Sequence, residues 1–266
     1  MKNFFFLLTA LFVSVTLSAS VLVTNGLTHI HEVSRGQKLT GEVSLKNVGK
    51  SDQRVLIYFK DLKVGCDTLS LNLKEPGTQE RSNANWISTA YEEVVIKPGD
   101  EFPLKYKIDV PQNGLGEGTF WSALMVEVKN PIDTNQNEKG LHISSNIRYA
   151  IQLITNLSTN AEAQIDFFDV NLTDNEQKEG KALTVRLNNS SIKLLRLELK
   201  LELYNTSGEM VYSNDGEKRK LYPGQCKDFT LPLKEVPSGT YQAVLIADCG
   251  ASGLFGTTVD LQLNSD

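Results

Sequence analysis

The chain has 266 residues, with 27 basic against 32 acidic side chains and a net charge of −5 when histidine is neutral. Mild acidity without a basic block argues against nucleic acid or an anionic lipid surface as the main partner. The length suffices for two domains, each able to bury its own core.

In chain order, residues 1–20 read as a cleavable signal peptide. Lys2 supplies the positive start, Phe4 to Val15 the apolar stretch, and Ser18-Ala19-Ser20 the small residues before a cut at Val21. The apolar stretch falls short of the roughly 20 residues of a membrane span. Export to a periplasm or cell surface is therefore expected, with no stable membrane span after cleavage. Domain one is expected over 21–157, with strands at Leu39 to Lys46, Arg54 to Asp61, Glu92 to Ile96, Phe102 to Val110, Thr119 to Val128 and His142 to Ile154. Turns rich in Gly, Pro and Asn separate them. Residues 66–86 form an insertion with no counterpart in the second half, and a long polar loop follows Asn130. Residues 158–164, polar and short, read as a linker, and domain two runs over 165–266. Its clearest strand, Leu195 to Leu203, alternates five Leu with four charges, the pattern of a half-buried antiparallel strand. No amphipathic helix of useful length is present.

The two halves repeat each other. Gly118-Thr119-Phe120-Trp121 through Val128 is echoed by Gly239-Thr240-Tyr241-Gln242 through Cys249, and each copy follows a Pro-Gly step, at Pro98-Gly99 and Pro223-Gly224. Earlier, the stretch from Leu39 to Gly49 matches that from Leu183 to Ser191. A repeat at domain length, built from alternating residues and turn dipeptides, points to an all-β chain of two tandem immunoglobulin-like sandwiches. Such modules more often bind or brace than catalyse.

The residues that usually carry chemistry are sparse. His29 and His31 alternate on one strand face, without an Asp, Glu or Cys at ligand spacing, so no metal site is expected. Ser190-Ser191-Ile192-Lys193 has the spacing of a serine-lysine acyl-transfer motif but falls in a turn, where that motif needs a helix start. No phosphate loop, dinucleotide fingerprint or nucleophile elbow is present, so neither a cofactor nor a catalytic residue is assigned. Trp121 reads as a central-strand core residue. Trp86, beside the insertion, is a candidate for a recognition surface. Three cysteines is an odd count for an exported chain. Cys226 and Cys249 fall at one end of the second sandwich, where a bridge is open to them, although the parity of Cys226 places it on the outer face. Cys66 is left as a free thiol.

The strand and turn order from Leu45-Lys46-Asn47-Val48-Gly49 to the run ending at Ile154 resembles the N-terminal domain of periplasmic pilus-assembly chaperones. It is equally similar to the peptidoglycan-binding domain of WxL-interacting cell-surface proteins, and the second half resembles the immunoglobulin-like domain that follows there. The resemblance implies a non-enzymatic envelope or cell-surface protein that contacts an envelope protein subunit or cell-wall glycan through domain one. It implies as an alternative a periplasmic chaperone that holds subunit strands in the cleft between domains. The chaperones anchor a client's terminal carboxylate with two basic residues, on the first and last strands of domain one. Those positions fall at His31 and Arg148, and the last strand, His142 to Ile154, is the expected open edge for strand addition.

Overall fold

The computed structural model describes residues 20–66, 72–129, 146–157, 161–174 and 181–264. Residues 1–19 of the expected signal peptide, the loop after Asn130, the start of the strand expected from His142 and residues 158–160 of the expected linker lie outside the described residues.

The strands, in chain order, are β1 (Val21–Val23), β2 (Thr28–Val33), β3 (Lys38–Asn47), β4 (Gln53–Lys63), β5 (Asn72–Lys74), β6 (Ile87–Thr89), β7 (Glu93–Ile96), β8 (Glu101–Asp109), β9 (Gly118–Lys129) and β10 (Ile147–Leu157). They form one sheet of order β1-β3-β8-β6 and a second of order β2-β10-β9-β4, in which β5 and β7 also pair with β4. There follow β11 (Ile165–Asp174), β12 (Lys181–Asn189), β13 (Leu195–Tyr204), β14 (Met210–Asp215), β15 (Arg219–Leu221), β16 (Cys226–Leu233), β17 (Gly239–Asp248) and β18 (Leu254–Leu263). Their sheets are β11-β12-β16 and β14-β13-β17-β18, with β15 paired to β13. The chain is thus nearly all β, two immunoglobulin-like sandwiches as its pattern predicts. Among the described residues no helix is long and apolar enough to cross a membrane.

Each sandwich closes on its own core. Val43, Leu45, Leu104, Tyr106, Ile108, Leu124, Ile151 and Leu153 fill the first, and Leu183, Leu187, Leu231, Leu245 and the β13 leucines fill the second. Leu195, Leu197, Leu199, Leu201 and Leu203 are all buried, so the period-2 alternation works as expected, each Leu contributing about 2 kcal/mol.

The repeat has an atomic counterpart. Asn47 and Asn189 are both fully buried at the ends of β3 and β12. The amide nitrogen of Asn47 donates to the carbonyls of Ser51 and Ile96 at 2.9 and 2.8 Å, and that of Asn189 to Lys193 and Leu221, both at 2.8 Å. Each carbonyl oxygen accepts a backbone N–H two residues on, from Gly49 or Ser191. Each backbone is also tied to the matching Pro-Gly turn, Gly99 N to Asn47 O and Gly224 N to Asn189 O. One Asn side chain per domain thereby satisfies turn groups that burial would otherwise leave unpaired.

One difference from the sequence expectation concerns the edge. The first strand splits: β1 pairs antiparallel with β3, whereas β2 crosses to the other sheet and pairs parallel with β10 from Gln152↔Thr28 to Leu157↔Val33. So β10 lies between β9 and β2 over that half, and only Ile147 to Ile151 have no described strand on the side away from β9. Gln152 N–H donates to Leu27 O on this side. By the two-residue period, the backbone groups of Arg148 and Ala150 point to the same open side.

Candidate binding site at the domain junction

The junction is made where the two copies of the repeat disagree. Aligned on their buried Asn, Lys50 and Asp52 of domain one correspond to Ile192 and Leu194 of domain two, and aligned on the Pro-Gly turns, Lys97 corresponds to Tyr222. Three polar turn residues become apolar, and these cover the outer face of the β2-β10-β9-β4 sheet. Tyr222 packs at a tilt against Trp121 with ring centroids 4.8 Å apart, in a cluster with Leu62 and Ile154. The expectation for Trp121 is therefore half met: it is buried on a central strand, but between the domains and not inside a sandwich. Two hydrogen bonds fix the contact, the backbone bond from Thr119 N to Ile192 O at 2.9 Å and that from Leu194 N to the Thr119 hydroxyl Oγ1 at 2.8 Å. The Ser190 to Lys193 motif is thus part of an interface, with the Ser191 hydroxyl spent on Asn189.

The insertion forms the other side. Asp61 on β4 is fully buried, and its carboxylate accepts from the backbone N–H of Thr78 and Gln79 at 2.7 and 2.9 Å and from the Ser82 hydroxyl. Charge-assisted bonds to backbone N–H groups make this a strong local anchor. Beyond the end of the β4–β9 pairing, the insertion takes the place of β4 beside Trp121, with Trp121 N donating to Arg81 O and the indole N–H to Leu62 O.

A covalent bond joins the two sides, and it corrects the cysteine expectation. Cys66 of the insertion is bridged to Cys226 at the start of β16, with Cα atoms 4.4 Å apart. Cys249 is buried in the second core as a free thiol, pushed up to about 11 by burial and then by Asp248. Cys226 does lie on the outer face, as its parity implies. What parity could not show is that the other domain is packed against that face.

Beside this junction, Lys220 on β15 reaches across to domain one. Its Nζ donates to Gln152 Oε1 at 2.6 Å and to Thr28 Oγ1 at 2.7 Å, and the Tyr222 hydroxyl donates to the same Gln152 oxygen at 2.9 Å. Lys220 is half-buried, and its amine is held below the usual lysine range first by burial, then by the nearby cations Arg196 and Lys227. Among the described residues, no carboxylate pairs with it. A cation placed among cations and withdrawn from water is costly, and an incoming anion would offset that cost. Thr28 and Gln152 mark the place where the open edge of β10 ends and β2 begins.

The residues singled out from sequence do not assemble here. His31 pairs with Thr155 in the β2–β10 register, seven residues along β10 from Arg148, roughly 23 Å at ~3.3 Å per residue. They also face opposite ways. Arg148 lies on the outer face, 58% exposed and 3.4 Å from Glu127, whereas His31 turns inward with its Nε2 2.9 Å from the Tyr106 hydroxyl. That hydroxyl sits in a slot open only because residue 41 is glycine, since a Cβ there would collide with the Tyr106 ring. Trp86 is 8% exposed and packs on Phe120 in the first core, so it presents no recognition surface. Lys220 escaped the sequence reading, although Lys218-Arg219-Lys220 is a basic triplet in an acidic chain.

The histidine has a measurable consequence. Burial, then His29, lowers the His31 pKa from its ordinary 6.5. The unfolded chain takes up the proton first, so this group's stability is intact above about pH 6.5 and is lost as pH falls toward the lower folded value. His31→Gln should flatten the decline in melting temperature between pH 7 and 5; parallel wild-type and variant curves would refute that.

No protein-family model matches the chain, and no curated protein does. Among solved structures it is similar to a chain of a chaperone–tip adhesin complex of CFA/I fimbriae biogenesis, at 13% identity and a TM-score of 0.49, covering 90% of this chain and 98% of that one. It is similar to the class 5 fimbriae chaperone CfaA, at 13% identity and 0.47, covering 92% and 100%. It is also similar to a chain of the CsuC–CsuE chaperone–tip subunit pre-assembly complex of Acinetobacter baumannii Csu pili, at 18% identity and 0.45, covering 91% and 98%. These neighbours are pilus-assembly chaperones, one of the two groups that the sequence resembles.

Proposed function

We propose that this protein is an exported, non-enzymatic binding protein that holds an extended segment of a protein client. The segment adds as a strand to the open half of β10, Ile147 to Ile151, and its terminal carboxylate is taken by Lys220. The observation that carries this reading is the half-buried Lys220, without a counter-charge among the described residues, standing where the open edge ends. A client strand running parallel to β10 arrives there with its C-terminus. Main-chain bonds to Arg148 and Ala150 supply affinity, and the charge sets the register. The Cys66–Cys226 bridge supports an oxidising compartment such as a periplasm or cell surface. His31 and Arg148 are not the anchoring pair in this reading.

The test is to crosslink the protein in its native envelope and identify what co-purifies, for wild type and Lys220→Met. Loss of a secretion-linked subunit without a fall in melting temperature is expected, because the methionine removes an unpaired charge as well as a ligand. Retention of the same subunit by the variant would sink the proposal. Persistent association of both proteins with insoluble wall material would instead favour a cell-wall glycan.

A further inference from the structure

The junction has a second opening. Tyr222 touches β10 through Gln152 and β9 through Trp121, and so divides the Lys220 side from a cleft of about 710 Å³ on the insertion side. That cleft is lined by both domains: Lys63, Lys74, Glu80 and Arg81 from domain one, Trp121 beneath, and Pro223 from domain two. The Cys66–Cys226 bridge stands next to it in both chains of residues, three positions after Lys63 and three after Pro223.

Three features give the cleft a chemistry of its own. Its charged lining is three cations against one carboxylate, in a protein whose net charge is −5. Arg81 is held in place, its guanidinium 5.6 Å from the Phe120 ring and donating to Glu117 O at 3.2 Å. Lys63 and Lys74 form no ion pair among the described residues. Trp121 lies beneath the cleft and is almost fully buried, its indole N–H satisfied by Leu62 O at 2.7 Å, while Val64, Ile192 and Pro223 supply apolar lining. Cations beside the apolar side chains of Val64, Ile192 and Pro223, in a volume typical of ligand sites, suit a short segment that alternates acidic and apolar side chains.

We propose that this cleft is a second binding site, for an acidic and partly apolar peptide segment of a partner protein. It is independent of the β10 edge and needs no terminal carboxylate. The insertion that domain two lacks exists to build its wall, and the disulfide keeps that wall against Pro223.

The probe is the blocked peptide acetyl-Leu-Glu-Leu-Glu-amide, which has no free carboxyl terminus and so does not report on Lys220. Its lysine counterpart, acetyl-Leu-Lys-Leu-Lys-amide, is the control. Each is titrated into the ¹⁵N-labelled, oxidised full chain while the two indole N–H signals are followed. A saturable shift of the Trp121 signal is expected with the acidic peptide, with Trp86 unmoved in its core. Lys63→Glu combined with Lys74→Glu should weaken binding at least about tenfold, and Lys220→Met should leave it unchanged. The proposal is overturned if the shift is absent to millimolar peptide, if the lysine peptide matches it, or if it survives the double charge reversal.

Discussion

Reduction of the Cys66–Cys226 bridge is expected to uncouple the two domains without unfolding either. The bridge spans 160 residues, and chain-entropy arguments assign a loop of that length about 5 kcal/mol. Each sandwich has a complete core, so the loss falls on their association. What remains is the Tyr222–Trp121 ring contact, the two hydrogen bonds at Thr119 and the Lys220 contacts, a small interface for domains tied by a linker. Calorimetry of Cys66→Ser should show two separate transitions in place of one. Cleavage at a protease site placed in residues 158–164 should yield halves that stay together until reductant is added. Thiol titration gives an independent reading: none reactive in the native oxidised protein, where Cys249 is buried with its pKa raised, one in denaturant, and three after reduction. A single transition shared by wild type and Cys66→Ser would show that the bridge does not hold the junction.

Gly118→Ala is expected to damage the same junction from within. Gly118 opens β9 at a φ of 111°, where L side chains are strained, and an added Cβ would collide with the carbonyl oxygen of Ile192 in domain two. Backbone cannot yield as a flexible side-chain tip can. Strain and overpacking together should cost about 3 kcal/mol, read as a lower denaturation midpoint. Because the clash holds the domains apart, the oxidative yield of the Cys66–Cys226 bridge should fall with it. A variant with the wild-type midpoint and a full bridge would remove Gly118 from the junction.

Strands were legible in this chain because their determinants are local. The alternation of Leu195 to Leu203 and the turn chemistry around Pro98-Gly99 and Pro223-Gly224 act within a few residues, so their outcome shows in a short window. The repeat was legible for the same reason, and its buried pair Asn47 and Asn189 does one job twice. The site was much less so. Trp86 and Trp121 are the same residue type, yet one closes a core and the other meets the second domain. Lys220 looks like any surface lysine until Thr28 and Gln152, from domain one, surround it. Some signal was present in the places where the copies part: Ile192, Leu194 and Tyr222 are apolar where Lys50, Asp52 and Lys97 are polar, which marks a covered surface.

By itself, then, the sequence determined two all-β immunoglobulin-like modules and the inward face of their clearest strands, since side-chain period and turn preference are properties of neighbouring residues. Only the tertiary structure decided that Cys66 finds Cys226 and leaves Cys249 free, that β2 covers half of β10, and that His31 and Arg148 stay apart. These outcomes depend on groups up to 160 positions apart, as Cys66 and Cys226 are. Which of several compatible partners meets is set by how the sheets stack and where two domains touch, and no local pattern records that.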